Sequence, residues 1–216
     1  STRNGIPFGW YFYNGSTVGQ ELYFSNIPFM DSISFSFLLF ASYCLALLFL
    51  LPARPSSTVG TTPRLPELKF DLPLRTSWPV FALTVLSFAF IDMVIDPVAL
   101  RGDRWFLGKI YYYPDPGVHF GVPMANYLGW AVVGAISLLI YFPLDRRLNQ
   151  PLPAHRPSTT HRLLLGGGLY YGVLAFNLAM TFWIGETLQG TTGLLMYVPL
   201  TAILLLRLFT SATQSA

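Results

Sequence analysis

Four carboxylates lie within or beside long apolar runs: Asp31, Asp92, Asp96 and Glu186. An acidic group in such a run is costly to bury and marks function. Asp92 and Asp96 are spaced i, i+4, so a helix through them sets both on one face. Two carboxylates this close in an apolar site rarely both ionise; one keeps its proton while the other can take one. That is the equipment for protonating one group while activating a water. Asn126, near the start of the next apolar run, can hydrogen-bond a carboxylate or a hydroxyl. Each acid also has a plainer reading. Asp31 or Ser32 can cap a helix start, Asp96 can solvate a helix end before Pro97, and Glu186 can be a solvated loop carboxylate.

Aromatic residues cluster beside these acids. Trp10, Tyr11, Phe12 and Tyr13 precede the first apolar run, and Trp105, Phe106 and Tyr111 to Tyr113 follow the second. An interfacial belt explains part of this, but the cluster is denser than a belt requires. Aromatic faces stabilise cations, so acid beside aromatics suits chemistry through a carbocation. Other polar features point elsewhere. His119 has no second His or Cys at metal-ligand spacing, so no metal is expected. Gly166-Gly167-Gly168 has no following Lys-Ser or Lys-Thr and reads as close helix packing. Arg207 is expected to snorkel to lipid headgroups, and Cys44 to be inert.

The elements that must position these residues are membrane spans. The chain has 216 residues, 53% apolar and 11% charged, against about 25% charged in a soluble domain. That excludes a soluble domain and a disordered chain, and one cysteine excludes a disulfide scaffold. A net charge of +3 without a dense basic patch argues against a nucleic-acid partner. Five stretches reach the span length of about 20 residues: 27–51, 77–95, 122–144, 163–184 and 191–209. The expected architecture is all-α, a polytopic transmembrane helical bundle forming one domain over residues 1–216. Because spans alternate in direction, Asp31, Asp92, Asp96, Asn126 and Glu186 all fall on one membrane face. Segments 52–76 and 145–162 and the C-terminus carry nine of the thirteen basic residues, which predicts that side to be cytoplasmic. The setting expected is the inner membrane of a prokaryote.

Longer motifs carry a resemblance. Asp92-Met-Val-Ile-Asp96-Pro-Val-Ala and Gly121-Val-Pro-Met-Ala-Asn126-Tyr-Leu-Gly-Trp130 resemble the membrane carotenoid-biosynthesis family that includes the carotenoid 1,2-hydratases and bisanhydrobacterioruberin hydratase. Gly5-Ile-Pro-Phe-Gly9 with Tyr11 and Tyr13, then Ile27-Pro-Phe-Met-Asp31-Ser, is similar to the family's N-terminal motif. The matches cover residues 5–130; residues 145–216 match only as apolar spans. The resemblance implies a membrane enzyme that adds water to the terminal double bond of an acyclic carotenoid end. It also implies a further span before Ser1, containing a Glu, and Tyr or Phe where His119 stands.

The two lines of reasoning meet at the acids. Asp92 is the candidate acid, Asp96 or Asp31 holds the water, and Asn126 orients a carboxylate or the product hydroxyl. Tyr13, Trp105 and Tyr112 line the cation pocket, with Tyr11 and Trp130 as further substrate-binding candidates. No cofactor is expected, since no dinucleotide or phosphate motif is present. The partners expected are the carotenoid, the lipid bilayer and other membrane subunits. Two rival readings use the same features: a non-catalytic carotenoid-binding subunit of a pigment complex, and a proton-coupled transporter using Asp92. The transporter ranks lower, because the acids are shallow and no internal repeat is visible.

Overall fold

An apolar run in lipid must satisfy its own backbone polar groups, so it folds as a helix. The computed structural model describes residues 27–51, 72–148 and 159–213, with residues 12–13, 23–24, 53–54 and 67–68. In chain order its elements are β1 (Phe12–Tyr13), β2 (Tyr23–Phe24), β3 (Ile27–Pro28), α1 (Phe29–Leu50), β4 (Ala53–Arg54), β5 (Glu67–Leu68), α2 (Leu72–Arg75), α3 (Trp78–Ala99), a 3-10 turn (Gly102–Arg104), β6 (Tyr111–Tyr112), α4 (Met124–Leu148), α5 (Thr159–Trp183) and α6 (Thr187–Thr213). Five of the helices are long and apolar enough to cross a membrane. Among the described residues the strands pair in twos: β1 with β6, β2 with β3, and β4 with β5. The architecture is an all-α bundle, with five membrane-length helices among the described residues.

Helix ends do not coincide with the ends of the apolar runs. α3 continues past residue 95 to Ala99, α4 continues past 144 to Leu148, and α6 starts at Thr187 rather than near 191. Hydropathy reports where polar surroundings begin, whereas backbone hydrogen bonding continues into them.

The core forms where α1 packs between α3 and α5. Leu45, Leu47, Leu48 and Ala41 of α1 are buried, as are Phe88 and Ile91 of α3. Small residues permit the α1–α5 approach. A Cβ on Gly166 would meet Cys44 Sγ at 2.4 Å, and one on Gly167 would meet Leu48 Cδ1 at 2.6 Å. Tyr170, fully buried on α5, donates to Ser87 O of α3 at 2.8 Å and lies 2.8 Å from Tyr197 OH of α6. These contacts matter because apolar side chains gain little by leaving lipid for protein, so packing and hydrogen bonds hold the helices together.

Polar clamps close both ends. On the face away from the candidate acids, Arg75 pairs with Asp145 at 2.7 Å, and Arg146 Nε donates to Thr76 Oγ1 at 2.8 Å. Arg207 donates to Leu51 O at the end of α1. It therefore serves a helix terminus of its own bundle. On the acid face, Glu186 pairs with Arg101 at 3.2 Å and with Arg104. Glu186 was expected as a solvated loop carboxylate; it instead ties the α5–α6 turn to the loop after α3.

Candidate active site

Pro97 lies inside α3 and supplies no N–H. The carbonyl of Met93, one turn earlier, thus lacks its helical donor. His119 Nε2 stands 3.0 Å from that carbonyl and donates to it. This fixes the loop between α3 and α4 against the helix that carries Asp92 and Asp96. The loop is tight. A Cβ on Gly117 would meet Val122 O at 2.1 Å, which no side chain tolerates. Phe120 has φ 52°, a left-handed conformation unfavourable for an aromatic residue. Its carbonyl accepts from Arg101 Nη1 at 3.0 Å, and the same nitrogen donates to Pro97 O at 2.9 Å. The loop thereby delivers the start of α4 to the end of α3.

Asn126 sits in the first turn of α4, where it meets both acids. Its Nδ2 donates to Asp92 Oδ2 and to Asp96 Oδ2, each at 2.6 Å. Asp92 is fully buried and Asp96 nearly so. Asp96 accepts two more bonds, from Tyr111 OH to Oδ1 at 2.6 Å and from Tyr113 OH to Oδ2 at 2.8 Å. Burial, and then the Asp96 carboxylate, push both phenols above the ordinary tyrosine range. They remain O–H donors at any physiological pH. Asp92 differs: among the described residues its Oδ1 is buried with no hydrogen-bond partner. Asp96 thus carries three donors, and Asp92 keeps an oxygen with no partner among the described residues.

One helical turn deeper lies an aromatic layer. Phe88 precedes Asp92 by four residues, and Trp130 follows Asn126 by four. Trp130 stacks on Phe35 of α1 at 4.2 Å and leans on Phe88 at 4.7 Å. A polar pair thus sits against a hydrophobic aromatic surface.

The other sequence candidates distribute as follows. Trp105 is half-buried against Phe106 and Phe176 of α5, with its Nε1 unpartnered among the described residues. Tyr112 turns outward, 43% exposed, with the Lys109 ammonium 6.0 Å from its ring. Strand alternation explains this: Tyr111 and Tyr113 point one way, Tyr112 the other. Period-two alternation along this strand is the signal by which Tyr111 and Tyr113 can be told from Tyr112 in the sequence. Asp31 lies in the first turn of α1, one turn before Phe35. Tyr13 pairs with Tyr111 in the β1–β6 ladder, which brings that N-terminal strand to the strand holding Asp96. Tyr11 lies outside the described residues. Among the described residues no group of three potential metal ligands occurs.

Residues 1–202 match the family described as carotenoid biosynthesis protein. The chain is 30% identical over 196 residues to a protein of Haloarcula japonica called bisanhydrobacterioruberin hydratase. That alignment covers 88% of this chain and 55% of the relative, so the chain spans about half the length of the curated relative it matches. No solved structure matches the chain.

Proposed function

The chain belongs to the carotenoid biosynthesis protein family, and from that premise we propose that it is an integral membrane hydratase. It adds water to the terminal double bond of an acyclic carotenoid end group. The observation that carries this reading is the buried acid pair bridged by Asn126, with donors crowded onto Asp96 and an Asp92 oxygen that has no partner among the described residues. The relative's name, a hydratase, supports the same class of reaction.

Hydration of an isolated trisubstituted alkene needs a positioned acid. Asp92 gives its proton to the less substituted carbon, and the π electrons form the new C–H bond. The other carbon becomes a tertiary cation. Water attacks that carbon, and its proton passes to Asp96. The proton then returns from Asp96 to Asp92 across the pair, so the sum is one water added and the enzyme unchanged. Hydrogen-bond donors favour the ionised form of an acceptor; Tyr111, Tyr113 and Asn126 therefore suit Asp96 to the base role. The aromatic layer of Phe35, Phe88 and Trp130 faces the developing cation and keeps bulk water from it. Asp31 remains a second candidate for holding the water.

Expressing wild type and Asp92→Asn with an acyclic carotene, and measuring bound pigment and hydroxylated product separately, tests the proposal. The expected result is retained pigment and a product rate lower by about 100- to 10,000-fold. Bound pigment with no product even in the wild type would instead make the chain a carotenoid-binding subunit.

A further inference from the structure

A long groove of about 410 Å³ runs between α1 and α4, floored by α3. Leu39 and Tyr43 of α1 face Ser137 and Tyr141 of α4 across it, and Phe35 and Phe88 close its upper end. We infer that this groove holds the polyene body of the substrate, along the membrane normal, with the reacting end delivered upward to Asp92. The inference rests on the hydratase reading for the identity of the chain.

Three observations carry it. First, the groove's closed end is the acid site's own aromatic layer: Phe35 and Phe88 line the groove and also pack on Trp130, one turn below Asn126. Second, the groove runs along the helices that wall it: its α1 side extends from Phe35 to Tyr43 and its α4 side from Val133 to Tyr141, each about 12 Å at 1.5 Å per residue. An extended apolar chain lies along that direction. Third, its rims are lipid-facing. Phe40 and Tyr141 on either side are 56% and 43% exposed, so an apolar chain dissolved in the bilayer enters sideways without crossing water. A groove of equal volume between α5 and α6 is lined by Tyr171, Tyr197 and Thr201 and shares neither Phe35 nor Phe88. Phe35 is the closing element; the chain end reaches Asp92 when that ring swings off Trp130.

The test separates binding from chemistry. In a Cys44→Ala background, Ser36→Cys puts a thiol on the groove wall. Its labelling by N-ethylmaleimide is followed in detergent with and without a full-length acyclic carotene. Protection by the carotene is expected. In parallel, Ser137→Leu narrows the groove, and kcat/KM is measured on a series of isoprenoid alkenes sharing one end group. The cost should grow with chain length, reaching about tenfold on the longest. Labelling unaffected by carotene, or protection equally good with phospholipid alone, overturns the groove assignment. So does a cost independent of chain length. Protection without hydration in the Ser36→Cys protein and the wild type would sink the catalytic reading and leave the groove standing. Hydration without protection would do the reverse.

Discussion

Asp92 and Asp96 are chemically the same residue one turn apart, and their neighbours make them different. Asp96 receives the Tyr111 and Tyr113 hydroxyls as well as Asn126, whereas no tyrosine hydroxyl among the described residues reaches Asp92. A hydrogen bond to a charged group contributes about 1.5–3 kcal/mol, and each 1.4 kcal/mol is roughly tenfold in rate. Tyr111→Phe is therefore expected to cut hydration by about 10- to 100-fold while leaving pigment binding intact; an unchanged rate would remove Tyr111 from the site. Tyr112→Phe, one residue away and facing outward, should change the rate less than twofold. The two phenols also set an alkaline limit. Their folded pKa values are raised by burial and by Asp96, above an unfolded value of about 10. The stability they contribute is present below that value and is lost as pH rises through the folded ones. Thermal inactivation in detergent should accelerate above about pH 10, and Tyr111→Phe with Tyr113→Phe should flatten that acceleration.

Among the elements, the loop from Gly102 to Val122 does the positioning. Gly117 has no room for a Cβ, and Phe120 is held left-handed while its carbonyl accepts from Arg101. Gly117→Ala should displace the start of α4, lower thermal stability by more than about 1 kcal/mol and reduce hydration with it. Normal stability in that variant would mean the loop is looser than its contacts indicate. At the opposite end, Arg75 and Asp145 are both largely buried as a pair. Removing one partner of a buried pair costs about 3–5 kcal/mol, because the other charge is left uncompensated. Arg75→Ala is expected to destabilise by about that amount, and Arg75→Ala with Asp145→Ala by less than the two single changes together. Additive losses in that double-mutant cycle would show that the pair is not coupled.

For the whole molecule, the two polar ends have distinct assignments. The carboxylates, their tyrosines and the Glu186 clamp gather at one end of the bundle, and Arg75, Asp145 and Arg146 at the other. The distribution of nine basic residues against four predicts the second end to be cytoplasmic. A reporter fused after Leu51 or Leu144 should read as cytoplasmic, and a periplasmic signal would invert the orientation. In the orientation predicted, with the Arg75 end cytoplasmic, the acids would act at the outer face.

Composition by itself determined the class: with 11% charge and five long apolar runs, only a helical membrane bundle satisfies its backbone. Alternation of the spans brought Asp92, Asp96 and Asn126 to one end, and i, i+4 spacing put the two acids on one face. Motifs such as Asp92-Met-Val-Ile-Asp96 pointed to the family. Spacing along one helix, however, says nothing about how that helix is rotated against its neighbours, nor about the path of a loop between them. Only the tertiary structure decided that Tyr111 and Tyr113, not Tyr112, hold Asp96, because that depends on where β6 crosses the end of α3. Only packing decided that Glu186 is paired, and that α1 and α4 leave a groove over α3. Those outcomes depend on contacts between residues far apart in sequence, for which local pattern carries no signal.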